Sequence, residues 1–298
     1  RDAQESRGLG DVYKRQVNDK ETPIIYHYTT LEALINGLIS LKGICLRATN
    51  CEYLNDISEI KEGLSQISEK IIFERLYPWF SKTCSISFSR VSDSLPMWNT
   101  YGNKGMGIAL GFDTTIILET INELKNIPIA TFPQISPNPL EYSLEARTYF
   151  PQLVKCIYNY KSRLLHDFFD KSIEIANAVY KGDINEDASV FISIILSIKN
   201  LCFEYEQEIR LIGCGLLPDI PNQFIAQPTT SFKYRCNNNM LIPYKEYIFP
   251  RNSLKELWIG PTQNKELSQK SIELFLHENN INSCPVSYTH LRAHETPE

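Results

Sequence analysis

Residues 83–113, TCSISFSRVSDSLPMWNTYGNKGMGIALGFD, decide the fold class. Thr83–Ser89 alternates as a half-buried strand does, with Ser87 and Ser89 on one face and Phe88 on the other. Gly105–Phe112 reads as a second strand, and Asp113 is suited to cap a helix running to about Lys125. Upstream, Pro23–Tyr28 (PIIYHY) is a β-branched and aromatic strand. It is followed by a helix that Thr29 or Thr30 caps and whose Leu31, Leu34, Ile35 and Leu38 share a face. Ile44–Ala48 is a short strand. Asp56 and Glu59 then form a capping-box pair ahead of a helix striped by Ile57, Ile60, Leu64, Ile67 and Ile71. Asn55 and Glu59 are accordingly read as structural.

Downstream, a proline-rich connection (Pro128–Pro139) leads to a short strand at Leu140–Ser143. Residues 148–204 are mostly helical by period, as two helices parted near Lys181-Gly182-Asp183. Glu208–Ile212, Met240–Phe249 and Leu257–Gly260 are strands, and Glu266–Asn279 is a last amphipathic helix. Helices and strands do not alternate regularly, which argues against a doubly wound parallel sheet. The expectation is an α+β fold: a mixed, largely antiparallel sheet with packed helices and a helical insertion around 148–204, in one domain spanning 17–286.

The ends are set apart. Residues 1–16 (RDAQESRGLGDVYKRQ) and 287–298 (SYTHLRAHETPE) lack helical or strand period and resemble translated sequencing-adapter sequence, so both are expected to be non-native and disordered. Together they carry no net charge, so the formal charge of −5 belongs to the core. A mildly acidic core makes a poor general nucleic-acid binder. The eight cysteines form no CxxC pair and match neither a zinc site nor a disulfide framework, which reads as reduced, mostly buried thiols and no metal. The apolar run Val190–Leu201, interrupted by Lys199, is too short to span a bilayer. A cytoplasmic protein without a membrane partner is expected.

Three segments carry candidate chemistry. In Tyr26-His27-Tyr28-Thr29, an imidazole between two phenols offers donors, acceptors and stacking faces. In Ser87–Gly107, the hydroxyls of Ser87 and Ser89 leave room for a ligand. Trp98 and Tyr101, three apart, can share a helical face beside it, and the glycines let backbone approach a phosphate. In Glu204–Arg210, a strand would project Glu206, Glu208 and Arg210 to one side, where a guanidinium or a cationic ligand relieves the repulsion between carboxylates. Each segment also has a plain structural reading: a satisfied histidine, aromatic core residues, an ion-paired strand edge.

The order YHYT (Tyr26–Thr29), YLND with Glu59, SFS (Ser87–Ser89), MWNTYG (Met97–Gly102), Tyr142, YE-x-E-x-R (Tyr205–Arg210) and WIG (Trp258–Gly260) resembles a bacterial family called domain of unknown function 2971. The resemblance covers about residues 24–262 and implies a soluble bacterial protein. More remotely, His, then Ser-x-Ser with a nearby Tyr, then Glu-x-Glu is similar to the motif order of ADP-ribosyltransferases. That similarity implies an NAD-consuming enzyme, a toxin or phage-defence effector, in which His27 holds the ribose and Tyr101 or Trp98 stacks on nicotinamide. Glu208 would stabilise the ribosyl oxocarbenium and Glu206 would address a protein or nucleic-acid acceptor. His27, Tyr101 and Glu208 would then be catalytic, with Tyr26, Ser87, Ser89, Trp98, Glu206 and Arg210 completing an NAD site. The alternatives are a non-catalytic sensor for a nucleotide-like small molecule and a protein-interaction module.

Overall fold

The computed structural model describes residues 17–40, 42–54, 83–125, 151–158, 193, 195–214, 232–237, 239–262 and 264–289. The elements are β1 (Ile24–Thr29), β2 (Ile39–Ser40), β3 (Gly43–Asn50), β4 (Thr83–Ser89), α1 (Leu95–Thr100), β5 (Ile108–Asp113) and α2 (Thr114–Lys125). They continue with β6 (Gln152–Lys155), β7 (Glu208–Cys214), β8 (Lys233–Asn237), β9 (Met240–Phe249), β10 (Leu254–Ile259), α3 (Lys265–Glu278) and β11 (Val286–Tyr288). All the described strands join one sheet in the order β11-β10-β5-β1-β4-β3-β9-β8, with β2 on β3, and β7 then β6 branching from β4. Every strand pair is antiparallel except β10 with β11. The α+β class and the mixed, mainly antiparallel sheet stand as expected from sequence.

Local chemistry explains the element ends. Thr30 Oγ1 accepts from Ala33 N at 3.1 Å and starts one turn of helix, which runs on as a π-helix over Leu34–Leu38. Asp113 Oδ1 accepts from Thr115 N at 2.9 Å and Ile116 N at 3.4 Å, as its reading as a helix cap requires. Gln207 adopts a left-handed conformation (φ 42°), turning the chain from a 3-10 helix at Leu201–Glu206 into β7.

Alternation sorts the sheet into two faces. Ile25, Ile86, Phe88, Leu110, Phe112, Leu211 and Phe249 pack in the main core with Ile117 and Ile121 of α2 and Ile272 and Leu276 of α3. Phe88 stands edge-on to Phe112 at 6.0 Å between ring centroids. On the opposite face a smaller cluster joins Tyr28, Met97, Trp98 and Ala109.

Three expectations change. Within 148–204, Gln152–Lys155 is a strand paired with β7, because Leu153 and Val154 fill the sheet rather than a helix face; residues 159–192 lie outside the described residues. Ser287 and Tyr288, expected to be disordered, extend β10 in parallel, and Thr289 behind them is fully buried. Lys233–Asn237, read as polar loop, is a strand paired with β9 along its whole length although all its side chains are exposed. The helix expected from Asp56, the strand at Leu140–Ser143, Tyr142 and residues 1–16 lie outside the described residues. No helix among the described residues is long and apolar enough to cross a membrane.

Candidate functional site

The sheet forks at β4. One edge of this strand pairs with β7 along all seven residues, from Thr83 opposite Cys214 to Ser89 opposite Glu208. Its other edge is divided: Ser89 meets Tyr26 of β1, while Ser85 and Cys84 meet Thr49 and Asn50 of β3. Between those contacts β1 and β3 part, and a cleft of about 310 Å³ opens there. His27, Ser87, Tyr101 and Glu208 all line it, although they come from β1, β4, the end of α1 and β7. Tyr26, Ser89 and Glu206 line it as well.

Cross-strand register places Tyr26, Ser85, Ser87, Ser89 and Glu208 on one face. His27 belongs to the opposite face and reaches the cleft where the strands separate. Its Nδ1 lies 3.0 Å from the Ser87 carbonyl oxygen and its ring is edge-on to Phe88 at 5.9 Å. Burial first, and then the charge of Arg235, lower the imidazole pKa below its ordinary value, against the opposing bond to Ser87. His27 is therefore neutral near pH 7. Nδ1–H donates to Ser87, which leaves Nε2 as an acceptor.

The acidic segment forms a buried ion cluster. Glu206, Glu208, Arg210 and Lys199 are all between 2% and 5% exposed. Arg210 Nε donates to Glu208 Oε1 at 2.8 Å and its Nη2 to Oε2 at 2.9 Å, a bidentate fork; its Nη1 donates to the Leu196 carbonyl at 2.6 Å. Lys199 Nζ donates to Glu208 Oε2 at 2.6 Å and also to Glu206 Oε2. Tyr101 Oη donates to the other oxygen of Glu206 at 3.0 Å. Burial alone would raise the Glu208 pKa, but the charges and hydrogen bonds of Arg210 and then Lys199 more than reverse it, down to about 2. Among the described residues, two cations thus face two carboxylates beside the cleft.

Glu206 and Glu208 converge for a reason that strand alternation does not supply. β7 begins only at Glu208, and Glu206 ends the 3-10 helix before it, so the left-handed Gln207 between them aims both carboxylates at Lys199. Lys199 was not among the residues singled out from the sequence. A lone lysine inside the apolar run Val190–Leu201 was the available signal, because a buried lysine requires an anionic partner.

Two sequence-based assignments are corrected. Trp98 does not line the cleft. It is fully buried, edge-on to Tyr28 at 4.9 Å, with Nε1 donating to Asp93 Oδ1 at 2.8 Å. Arg210 also lies outside the cleft wall, behind Glu208, and its fork is spent on that carboxylate. The glycines meet protein backbone in place of a phosphate: Gly107 N donates to Gly102 O at 2.8 Å and Gly260 N to Gly107 O at 2.9 Å. A Cβ on Gly107 would sit 2.3 Å from the Thr29 carbonyl oxygen and 2.8 Å from Gly102 backbone atoms. Because rigid backbone cannot yield as a side chain does, Gly107→Ala should cost about 1–3 kcal/mol in urea unfolding; wild-type stability would contradict this packing.

Cys45, Cys51, Cys84 and Cys284 are buried, whereas Cys202 and Cys236 are exposed.

The fold and site define an α+β protein with a forked sheet, a polar cleft at the fork and an ion-paired acidic cluster beside it. Residues 97–211 match the family described as Protein of unknown function (DUF2971), in agreement with the resemblance carried by the motifs. No curated protein and no solved structure matches the chain.

Proposed function

We propose that the chain binds a nucleotide-like small molecule in the cleft at the fork and does not turn it over. The observation that carries this reading is the saturation of Glu208. A transferase needs a carboxylate whose negative charge is available as positive charge develops in the transition state. Here both oxygens already accept from Arg210 and Lys199. Binding asks less of the same residues. The cleft, at about 310 Å³, is within the size range of small-ligand sites. Tyr26, Tyr28 and Tyr53 line it, Ser87 is exposed to it, and neutral His27 supplies an acceptor. NAD consumption is kept as a second reading because His27, Ser87, Tyr101 and Glu208 share this one cleft.

Calorimetric titration with a panel of nucleosides, nucleotides and NAD tests both readings. A member of the panel should bind the wild type and fail to bind Ser87→Trp, a substitution at an exposed position that fills the cleft without disturbing the core. A panel with no binder overturns the reading. Nicotinamide release from NAD by the wild type, absent from Ser87→Trp, would replace it with the enzymatic one.

A further inference from the structure

Two arginines that the sequence reading passed over stand at the β3 side of the cleft. Arg47 of β3 and Arg235 of β8 both line it, and register puts them on the same sheet face as Ser85 and Thr49. Arg235 Nη2 donates to Thr49 Oγ1 at 3.1 Å, and the Arg47 guanidinium lies 5.2 Å from the Tyr244 ring centroid. The carboxylate opposite Arg47 by register, Glu246, is held by Lys233 at 2.6 Å. Among the described residues neither guanidinium has a carboxylate partner. Although Arg235 keeps an exposed side, partial desolvation at the cleft and then the Arg47 charge lower its pKa, so the two cations repel each other.

A third feature lies beside them. Ser85, paired across the ladder with Thr49, lines the cleft at 3% exposure, and its Oγ is buried with no hydrogen-bond partner among the described residues. A buried hydroxyl left unsatisfied is costly, and an incoming acceptor would relieve it. Among the described residues, two guanidiniums without a carboxylate and a spare hydroxyl lack the same thing: an oxyanion with several acceptor atoms.

We propose that Arg47, Arg235 and the Ser85 hydroxyl form an anion subsite that holds a phosphoryl group of the cleft's ligand. The assignment rests on the reading of the cleft as a nucleotide-like site and names the part of the ligand that this end takes. The ligand lies with its phosphate against Arg47 and Arg235, and its remainder extends past Ser87 toward Tyr101 and the ion-paired acidic cluster.

Inorganic pyrophosphate tests the subsite independently of the rest of the ligand. By calorimetry the wild type should bind pyrophosphate, more weakly as salt rises. Arg47→Gln and Arg235→Gln should each weaken it by about 10-fold or more, as loss of a charge-assisted bond implies. Ser85→Ala removes only an unpartnered hydroxyl, so it should melt at or above the wild-type temperature while binding pyrophosphate about 3–10-fold more weakly. A matched nucleoside and nucleotide separate the two proposals. Nucleoside binding without pyrophosphate binding, or pyrophosphate binding unchanged in all three variants, overturns the subsite and leaves the cleft reading standing. Pyrophosphate binding that the three variants weaken, with no nucleoside or nucleotide bound, keeps the subsite as a site for free phosphate and overturns the nucleotide reading.

Discussion

Lys199→Met lowers the unfolding free energy by about 3–5 kcal/mol, because two buried carboxylates lose the ammonium that they share. Lys199 is 3% exposed and bonded to both Glu206 and Glu208, so water cannot take over its role. Glu208→Gln should cost a similar amount, because Lys199 and Arg210 both lose the charge of a buried carboxylate that they bond. The pH dependence follows from the same cluster. The folded pKa of Glu208, about 2, lies below its ordinary value of 4.5, so its contribution is present above pH 4.5 and is lost as pH falls toward 2. The difference corresponds to about 3 kcal/mol. Urea unfolding at stepped pH should show the wild type losing stability through that window. Glu208→Gln should be less stable at pH 7 and flatter from pH 4.5 down to 2. Near-wild-type stability of both variants at pH 7 would show that the cluster does not close as described. Glu208→Gln that keeps its fold but loses an NAD-dependent turnover would restore the catalytic reading of this carboxylate.

What the sequence disclosed follows from how local each signal is. β4 was readable because Cys84, Ile86 and Phe88 alternate with serines, and that alternation is set by the strand itself. The cap at Asp113 was readable for the same reason. His27, Ser87, Tyr101 and Glu208 were each picked out by neighbouring residues, and the sheet does bring them to one cleft. Arg47 and Arg235 were not, since each is an unremarkable arginine in its own segment. Only the sheet order β3-β9-β8 makes them neighbours, and no local period encodes that order. β8 escaped notice because all five of its side chains are exposed, so no apolar alternation marks it. Lys199 is visible in the sequence only as an interruption of an apolar run. Its meaning as a buried counter-charge depends on Glu206 and Glu208, which approach it through the left-handed turn at Gln207.

Spacing of three on a helix predicts both aromatics at the ligand, but the structure brings only Tyr101 to the cleft. α1 is only six residues long; Tyr101 is its C-cap, whereas Trp98 points into the smaller core with Met97. Its place is fixed by contacts that a ligand would not need. The ring stacks edge-on to Tyr28, and a Cβ on Gly102 or Gly260 would come within 2.7 and 3.0 Å of it. Trp98→Ala should therefore cost about 3–5 kcal/mol, the penalty of emptying a large buried aromatic site. Urea unfolding measures it. Trp98→Phe keeps most of the volume and loses the bond to Asp93, so it allows the functional comparison in a folded protein. Its affinity for any ligand found in the cleft should equal that of the wild type, while Ser87→Trp loses binding. If Trp98→Phe weakened binding by 10-fold without changing the melting temperature, the indole would have to contact the ligand. The cleft would then extend past Tyr28 to a ring that is now fully enclosed.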